Sequence, residues 1–214
     1  FKNKSAVSKE KIDSIMQFTG MEHFKLIGNV ITKDDPRCEL NFNAIAQGYT
    51  ADYFASRFRG MGMKNFMIEV GGEVFAQGVN PEGKAWKIGV DKPVDGNNSP
   101  GDMIQDVISL SGKGLVTSGD YRKYYIENGK KYAHTINPKT GYPVQHNLLS
   151  ATVVAPNATT ADAYATYFMV VGLERAKEII ASTPEIEALL IYGDQKSMHQ
   201  YISEGMKKMT KVEN

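Results

Sequence analysis

The sequence predicts an α+β fold, with mixed or antiparallel sheets flanked by helices. Three observations predict it. Strand-like runs crowd the middle of the chain, between residues 65 and 117. Helical patterns stand outside that block and do not alternate strictly with strands, which disfavours a doubly wound parallel sheet. Hydrophobic residues make up 42% and charged residues 23% of the 214 positions, enough for an ordinary buried core.

From the start of the chain, Ser8 is suited to cap a short helix with Ile12, Ile15 and Met16 on its apolar face, ended by Gly20. Residues 24–31 and 38–42 read as strands, joined by a turn at Asp34-Asp35-Pro36. A helix is expected from Ala44 to Arg59, with Ile45, Tyr49 and Tyr53 on one stripe and Gly60 and Gly62 at its end. Asn65–Val70, Val74–Val79, Ala85–Val90, Ile104–Leu110 and Gly114–Thr117 follow as strands, and residues 92–102 as a loop. A strand at Leu149–Ala155 precedes helices at Thr160–Val170 and Glu174–Ala181, and Glu187–Tyr192 and Met198–Ile202 close as strands. The whole of 1–214 is expected to form one domain.

Charge and composition exclude several functions. A formal net charge of +1 gives no electrostatic footprint for nucleic acid. With Cys38 as the one cysteine, no internal disulfide can form. No apolar run approaches the roughly 20 residues that span a bilayer. The chain begins at Phe1 and reads as a processed or truncated product.

Five polar clusters interrupt the regular elements. Asn41 to Tyr49 places free backbone groups near Ala44, where a ligand could approach; it also reads as a plain helix start capped by Asn43. Glu69-Val70-Gly71-Gly72-Glu73 lets a backbone come close to a ligand, or simply makes a tight hairpin. Thr117-Ser118-Gly119-Asp120-Tyr121-Arg122 offers hydroxyl and backbone donors to phosphate oxygens, and also reads as a capped turn. His134 stands just before the turn sequence Asn137-Pro138-Lys139-Thr140-Gly141, beside hydroxyls and glycine that suit a proton-transfer site. Asp162 and Thr166 lie four apart on a helix, so both oxygens share one face and form a hard donor set for Mg²⁺. A carboxylate near a helix N-terminus is also favourable for dipole reasons alone.

In this order the clusters resemble the ApbE family of FAD:protein FMN transferases, once described as thiamine-biosynthesis lipoproteins. The resemblance runs from about residue 8 to 203. It rests most on His134 to Pro143 and on Asp162 to Thr166. It implies an ApbE-like, T-fold-related architecture with a further segment before Phe1. It implies Mg²⁺ ligands at Ala44, Asp162 and Thr166, with the Ala165 backbone close by. It implies FAD contacts at Asn41, Gln47, Gly72, Ser118, Gly119, His134 and Thr135. Asn41 and Gln47 stand where the family usually has Asp and Lys, so a neutral amide pair replaces a charged one.

The implied reaction moves FMN from FAD to a threonine hydroxyl of an acceptor flavoprotein subunit, with His134 taking the hydroxyl proton and AMP leaving. The implied location is periplasmic or on the outer face of the cytoplasmic membrane, with a lipid anchor in the full-length protein. The alternatives are a FAD pyrophosphatase, a non-catalytic FAD-binding lipoprotein and a purely structural surface domain.

Overall fold

A computed structural model describes residues 8–94, 101, 103–119, 124–127, 130–133, 135–193 and 197–210. The expected site residue His134, and Asp120, Tyr121 and Arg122 of the third cluster, lie outside the described residues. In chain order the elements are α1 (Lys9–Met16), β1 (Phe24–Ile27), β2 (Val30–Lys33), α2 (Ala46–Gly60), β3 (Phe66–Val70) and β4 (Glu73–Gln77). They continue with β5 (Trp86–Asp91), β6 (Ile104–Leu110), β7 (Lys113–Gly119), β8 (Tyr124–Glu127), β9 (Lys130–Ala133) and β10 (Leu148–Ala155). The last are α3 (Ala158–Val171), α4 (Leu173–Ser182), β11 (Glu187–Gly193), β12 (Met198–Ile202) and α5 (Glu204–Thr210).

Among the described residues, the largest sheet has six strands in the order β12-β11-β10-β7-β4-β3. Every pairing in it is antiparallel. One face is covered by helices. Val116, Ala151, Val153 and Ala155 pack there against Ala161, Ala165 and Phe168 of α3 and Ala176 and Ile180 of α4. The other face is closed by the β5–β6 hairpin and α5, where Leu115, Val154 and Leu189 meet Ile88, Ile108 and Met206. A strand covered on both sides needs no alternation of apolar and polar residues. β10, with sequence Leu-Leu-Ser-Ala-Thr-Val-Val-Ala, is buried almost throughout. Among the described residues no helix is long and apolar enough to cross a membrane.

The structure departs from the sequence reading in several places, the unanticipated β8–β9 pair among them. Residues 24–31 are not one strand but two, folded back at Gly28, whose φ of 59° lets the chain reverse. Residues 38–42 form no strand, because Lys33 Nζ takes the carbonyls of Pro36 and Cys38 and holds that stretch as an irregular turn. The stripe of α2 that faces the protein is not Ile45, Tyr49 and Tyr53. Tyr49 and Tyr53 are 61% and 52% exposed, while Gly48, Ala51 and Ala55 are buried. Close approach to α3 at Gly48 and to Phe66, Ile68 and Phe75 of β3 and β4 at Ala51 and Ala55 selects small side chains over large ones there. α5 was not anticipated; Met206 on it is fully buried.

α1 follows the expected pattern at its start, where Ser8 Oγ accepts from the Lys11 N–H. It lies over the 137–141 turn: a Cβ on Gly141 would come within 2.7 Å of Ile12 Cγ2. That turn is closed by the Gly141 N–H donating to the Asn137 carbonyl at 2.8 Å, with Pro138 at its second position.

Candidate functional site

The site is built where the first turn of α2, the β3–β4 turn, the end of β7 and the first half of α3 come together. Each is placed by local chemistry. Asn41 Oδ1 accepts from the Asn43 N–H at 2.8 Å, shaping the turn that carries Ala44 into α2. Asn43 does not cap this helix; Ile45 stands at the cap position with no side-chain bond. The first-turn N–H groups of α2 are therefore left for other partners. The Gly48 N–H finds one in Asp162 Oδ2, at 3.0 Å.

That bond depends on a bare glycine. A Cβ at Gly48 would lie 2.4 Å from the Ala158 carbonyl oxygen and 2.9 Å from Asp162 Cβ. α3 is anchored from the same side. Asp52 on α2 accepts from the Ala158 N–H at 2.9 Å, the Thr159 N–H at 2.8 Å and the Thr159 hydroxyl at 2.5 Å. Asn157 caps the helix through the Thr160 N–H at 2.7 Å.

Asp162 is 4% exposed, and Thr166 follows one turn later on the same face. Thr166 Oγ1 lies 3.5 Å from Ser118 Oγ. Ser118 faces α3 because strand alternation puts it on the side of Val116. Gly119 ends β7 opposite Ser150 of β10, whose buried hydroxyl has no hydrogen-bond partner. Ala165 is fully buried against the sheet.

At the β3–β4 turn both Gly71 and Gly72 have positive φ, 66° and 109°, which this two-residue hairpin requires. They play different parts. A Cβ on Gly71 would collide with Gln47 Nε2, whereas one on Gly72 would meet nothing within 4 Å. Gly71 thus receives the Gln47 side chain, and Gly72 borders open space. Glu73, next in line, has Oε2 buried without a hydrogen-bond partner. Burial, and then the charge of Asp162, push the Glu73 carboxyl up to about 7. Asp162 is also raised by burial, against the Gly48 N–H bond that lowers it. Among the described residues, no Lys, Arg or His pairs with either carboxylate.

Of the residues singled out in the sequence, Gln47, Gly72, Ser118, Asp162 and Thr166 sit on these adjoining elements. Asn41 and Ala44 lead into α2. Thr135 lies on a separate stretch, where its carbonyl accepts from the Val144 N–H at 3.1 Å beside the Ile136–Pro143 bridge. Sequence reasoning missed Glu73, Gly48 and Asp52 as site-forming residues. For Glu73 the signal was a carboxylate directly after a paired-glycine turn. Gly48 and Asp52 carried none, since their partners are more than a hundred positions away.

Two carboxyls raised by burial and lacking a cationic partner, beside two hydroxyls, form an all-oxygen set that fits a hard cation such as Mg²⁺. Fold and site together define an antiparallel α+β protein with an all-oxygen donor set at a helix start. The ApbE family model matches residues 1–190, and the chain belongs to the ApbE family. It is 38% identical to the FAD:protein FMN transferase of Escherichia coli K12 over 86% of this chain and 52% of that one. It is 34% identical to the Vibrio cholerae protein of the same name, over 92% and 58%. The flavin transferase ApbE structure from Vibrio cholerae superposes with a TM-score of 0.84 at 31% identity, covering 97% of this chain and 64% of that one. An ApbE protein from Thermotoga maritima gives 0.82 at 26% identity, over 98% and 67%. The chain spans about half the length of the curated relatives it matches.

Proposed function

We propose that this chain carries the cation- and FAD-gripping part of a flavin transferase that moves FMN from FAD to a threonine hydroxyl of an acceptor protein. One observation carries the reading: the buried Gly48–Asp162 bond ties the first and last of the five clusters into one site, across 114 positions of sequence. The names of the relatives support the choice of reaction.

In this reading Asp162 and Thr166, with backbone groups at Ala44 and Ala165, are the Mg²⁺ ligands. Mg²⁺ bound there supplies Lewis acidity and neutralises charge on the diphosphate. The hydroxyl of Ser118 and the Gly119 backbone donate to phosphate oxygens. Gly72, open on its outer side, lets the nucleotide approach the β3–β4 turn closely. Asn41, Gln47 and Thr135 contribute neutral hydrogen bonds to the flavin nucleotide. His134 accepts the proton of the acceptor threonine as its oxygen bonds to the FMN-side phosphorus. The bond from that phosphorus to the AMP oxygen breaks, and AMP leaves. The same reading carries the expectation that the full-length protein is lipid-anchored in the periplasm or on the outer face of the cytoplasmic membrane; protease accessibility in intact cells tests it.

The experiment mixes the full-length protein with FAD, Mg²⁺ and a threonine-bearing acceptor, then weighs the acceptor. A mass gain of FMN less one water, its yield lowered at least about 100-fold by Asp162→Ala, is the expected result. Transfer by D162A at the parental rate refutes the ligand set. AMP release at full rate without acceptor favours a pyrophosphatase instead.

A further inference from the structure

A second group of metal-ligand side chains lies apart from this site, on the β1–β2 hairpin. His23, Asp34 and Cys38 each offer one ligand atom, an imidazole nitrogen, a carboxylate oxygen and Sγ, all within 4.8 Å of one another. We propose that His23, Asp34 and Cys38 form a site for a zinc-type divalent cation, distinct from the Asp162 site in location and chemistry.

The hairpin register makes the cluster. Phe24 pairs with Lys33, so His23 and Asp34 fall opposite each other one step beyond, and the Asp34 N–H donates to the His23 carbonyl at 3.1 Å. Their side chains meet at 2.9 Å. A tight turn then returns the chain: the Cys38 N–H reaches the Asp35 carbonyl at 3.2 Å. Lys33 Nζ fixes that turn through the carbonyls of Pro36 at 2.8 Å and Cys38 at 2.6 Å. Arg37 is held by Asp35 at 2.6 Å and by the Phe18 ring, and the charges of Asp35 and Asp34 outweigh those of Lys33 and Arg37 at the thiol. The donors are thus held before any ion arrives, as a supporting shell does for a metal ligand.

Imidazole, carboxylate and thiolate together suit Zn²⁺ and not Mg²⁺, which takes oxygen ligands. In a tetrahedral zinc site, bonds of ~2.0–2.3 Å put neighbouring donors roughly 3.3–3.8 Å apart. Small side-chain rotations bring these donors to that spacing. Binding releases the Cys38 thiol proton, which now donates to the Phe18 carbonyl at 3.1 Å. The ionised Asp34 and Cys38 then balance the two positive charges. Asp34 is exposed, so the fourth position is open to a water ligand.

The test titrates the 214-residue chain with Co²⁺ and with Zn²⁺ in the presence of excess Mg²⁺. A thiolate-to-cobalt charge-transfer band that saturates at one equivalent is expected. Zn²⁺ should displace it. C38S should abolish the band, and H23Q should weaken Zn²⁺ binding by more than about 100-fold, beyond the loss of a merely supporting partner. D162N should leave the band unchanged. H23Q decides the matter should C38S fail to fold, since His23 is only partly buried. Absence of the band, its survival in C38S, unchanged Zn²⁺ affinity in H23Q, or its loss in D162N overturns the proposal.

Discussion

Glu73 shows how one side chain can report on a site. Its carboxyl is half-buried, with one oxygen unpartnered and Asp162 as its charged neighbour. Folding raises its pKa from 4.5 to about 7, so the folded chain keeps a proton that the unfolded chain has released. Stability is therefore highest below about pH 4.5 as far as this group is concerned, and falls as pH rises towards about 7. Glu73→Gln should flatten that fall, read as Tm against pH from 4.5 to 8 without divalent ions. A parallel fall in E73Q would assign the pH dependence elsewhere. Gly48 makes the opposite point, since it acts through what it lacks. Alanine there gains about 1 kcal/mol of helix propensity. It also drives a methyl into backbone at 2.4 Å, which no rotamer change relieves. Gly48→Ala should cost about 1–3 kcal/mol net in urea unfolding and, on the proposed reading of Asp162 as a ligand, weaken Mg²⁺ binding.

At the level of elements, α3 is held by its neighbour α2 more than by its own sequence. Asp52 satisfies two first-turn N–H groups and the Thr159 hydroxyl of α3. Asp52→Ala should lose about 1–2 kcal/mol, and Asp52→Asn should recover part of it, as chemical denaturation will show. This pairing also marks what the sequence made legible. The spacing of Asp162 and Thr166 put both on one helical face, because that rule acts within one element; the strand expected at Gly114–Thr117 runs on to Gly119, which sets Ser118 on the side of Val116. The paired glycines before Glu73 read correctly as a hairpin for the same reason. The tyrosine stripe on α2 misled, because periodicity cannot tell a stripe that faces solvent from one that faces a helix packed too closely for rings. Residues 38–42 misled because Lys33, five positions before Cys38, withdraws that segment from any sheet. Asp52, Gly48 and the isolation of Glu73 depend on contacts between elements, which local pattern does not encode.

For the molecule as a whole, the second face of the sheet depends on its last elements. The family match ends at residue 190, yet β12 and α5 lie beyond it and complete that face. Met206 is fully buried against Ile108, Leu110 and Leu189. Glu187 fixes α5 by accepting from the N–H groups of Gly205 at 3.0 Å and Met206 at 3.2 Å and from the Ser203 hydroxyl. Met206→Ala should therefore cost about 2–5 kcal/mol, although it lies far from the proposed chemistry. A Tm within a degree of the parent would show α5 to be an appendage.

The bond between Gly48 and Asp162 also sets a timetable for biosynthesis. While the ribosome is still translating, α2 can coil and β3–β4 can pair, but nothing yet meets that helix start. At about 5–20 residues per second, some 6–23 s pass between the synthesis of one partner and the other. A nascent chain released early therefore lacks the junction between α2 and α3 altogether, and that junction arises in a single late step.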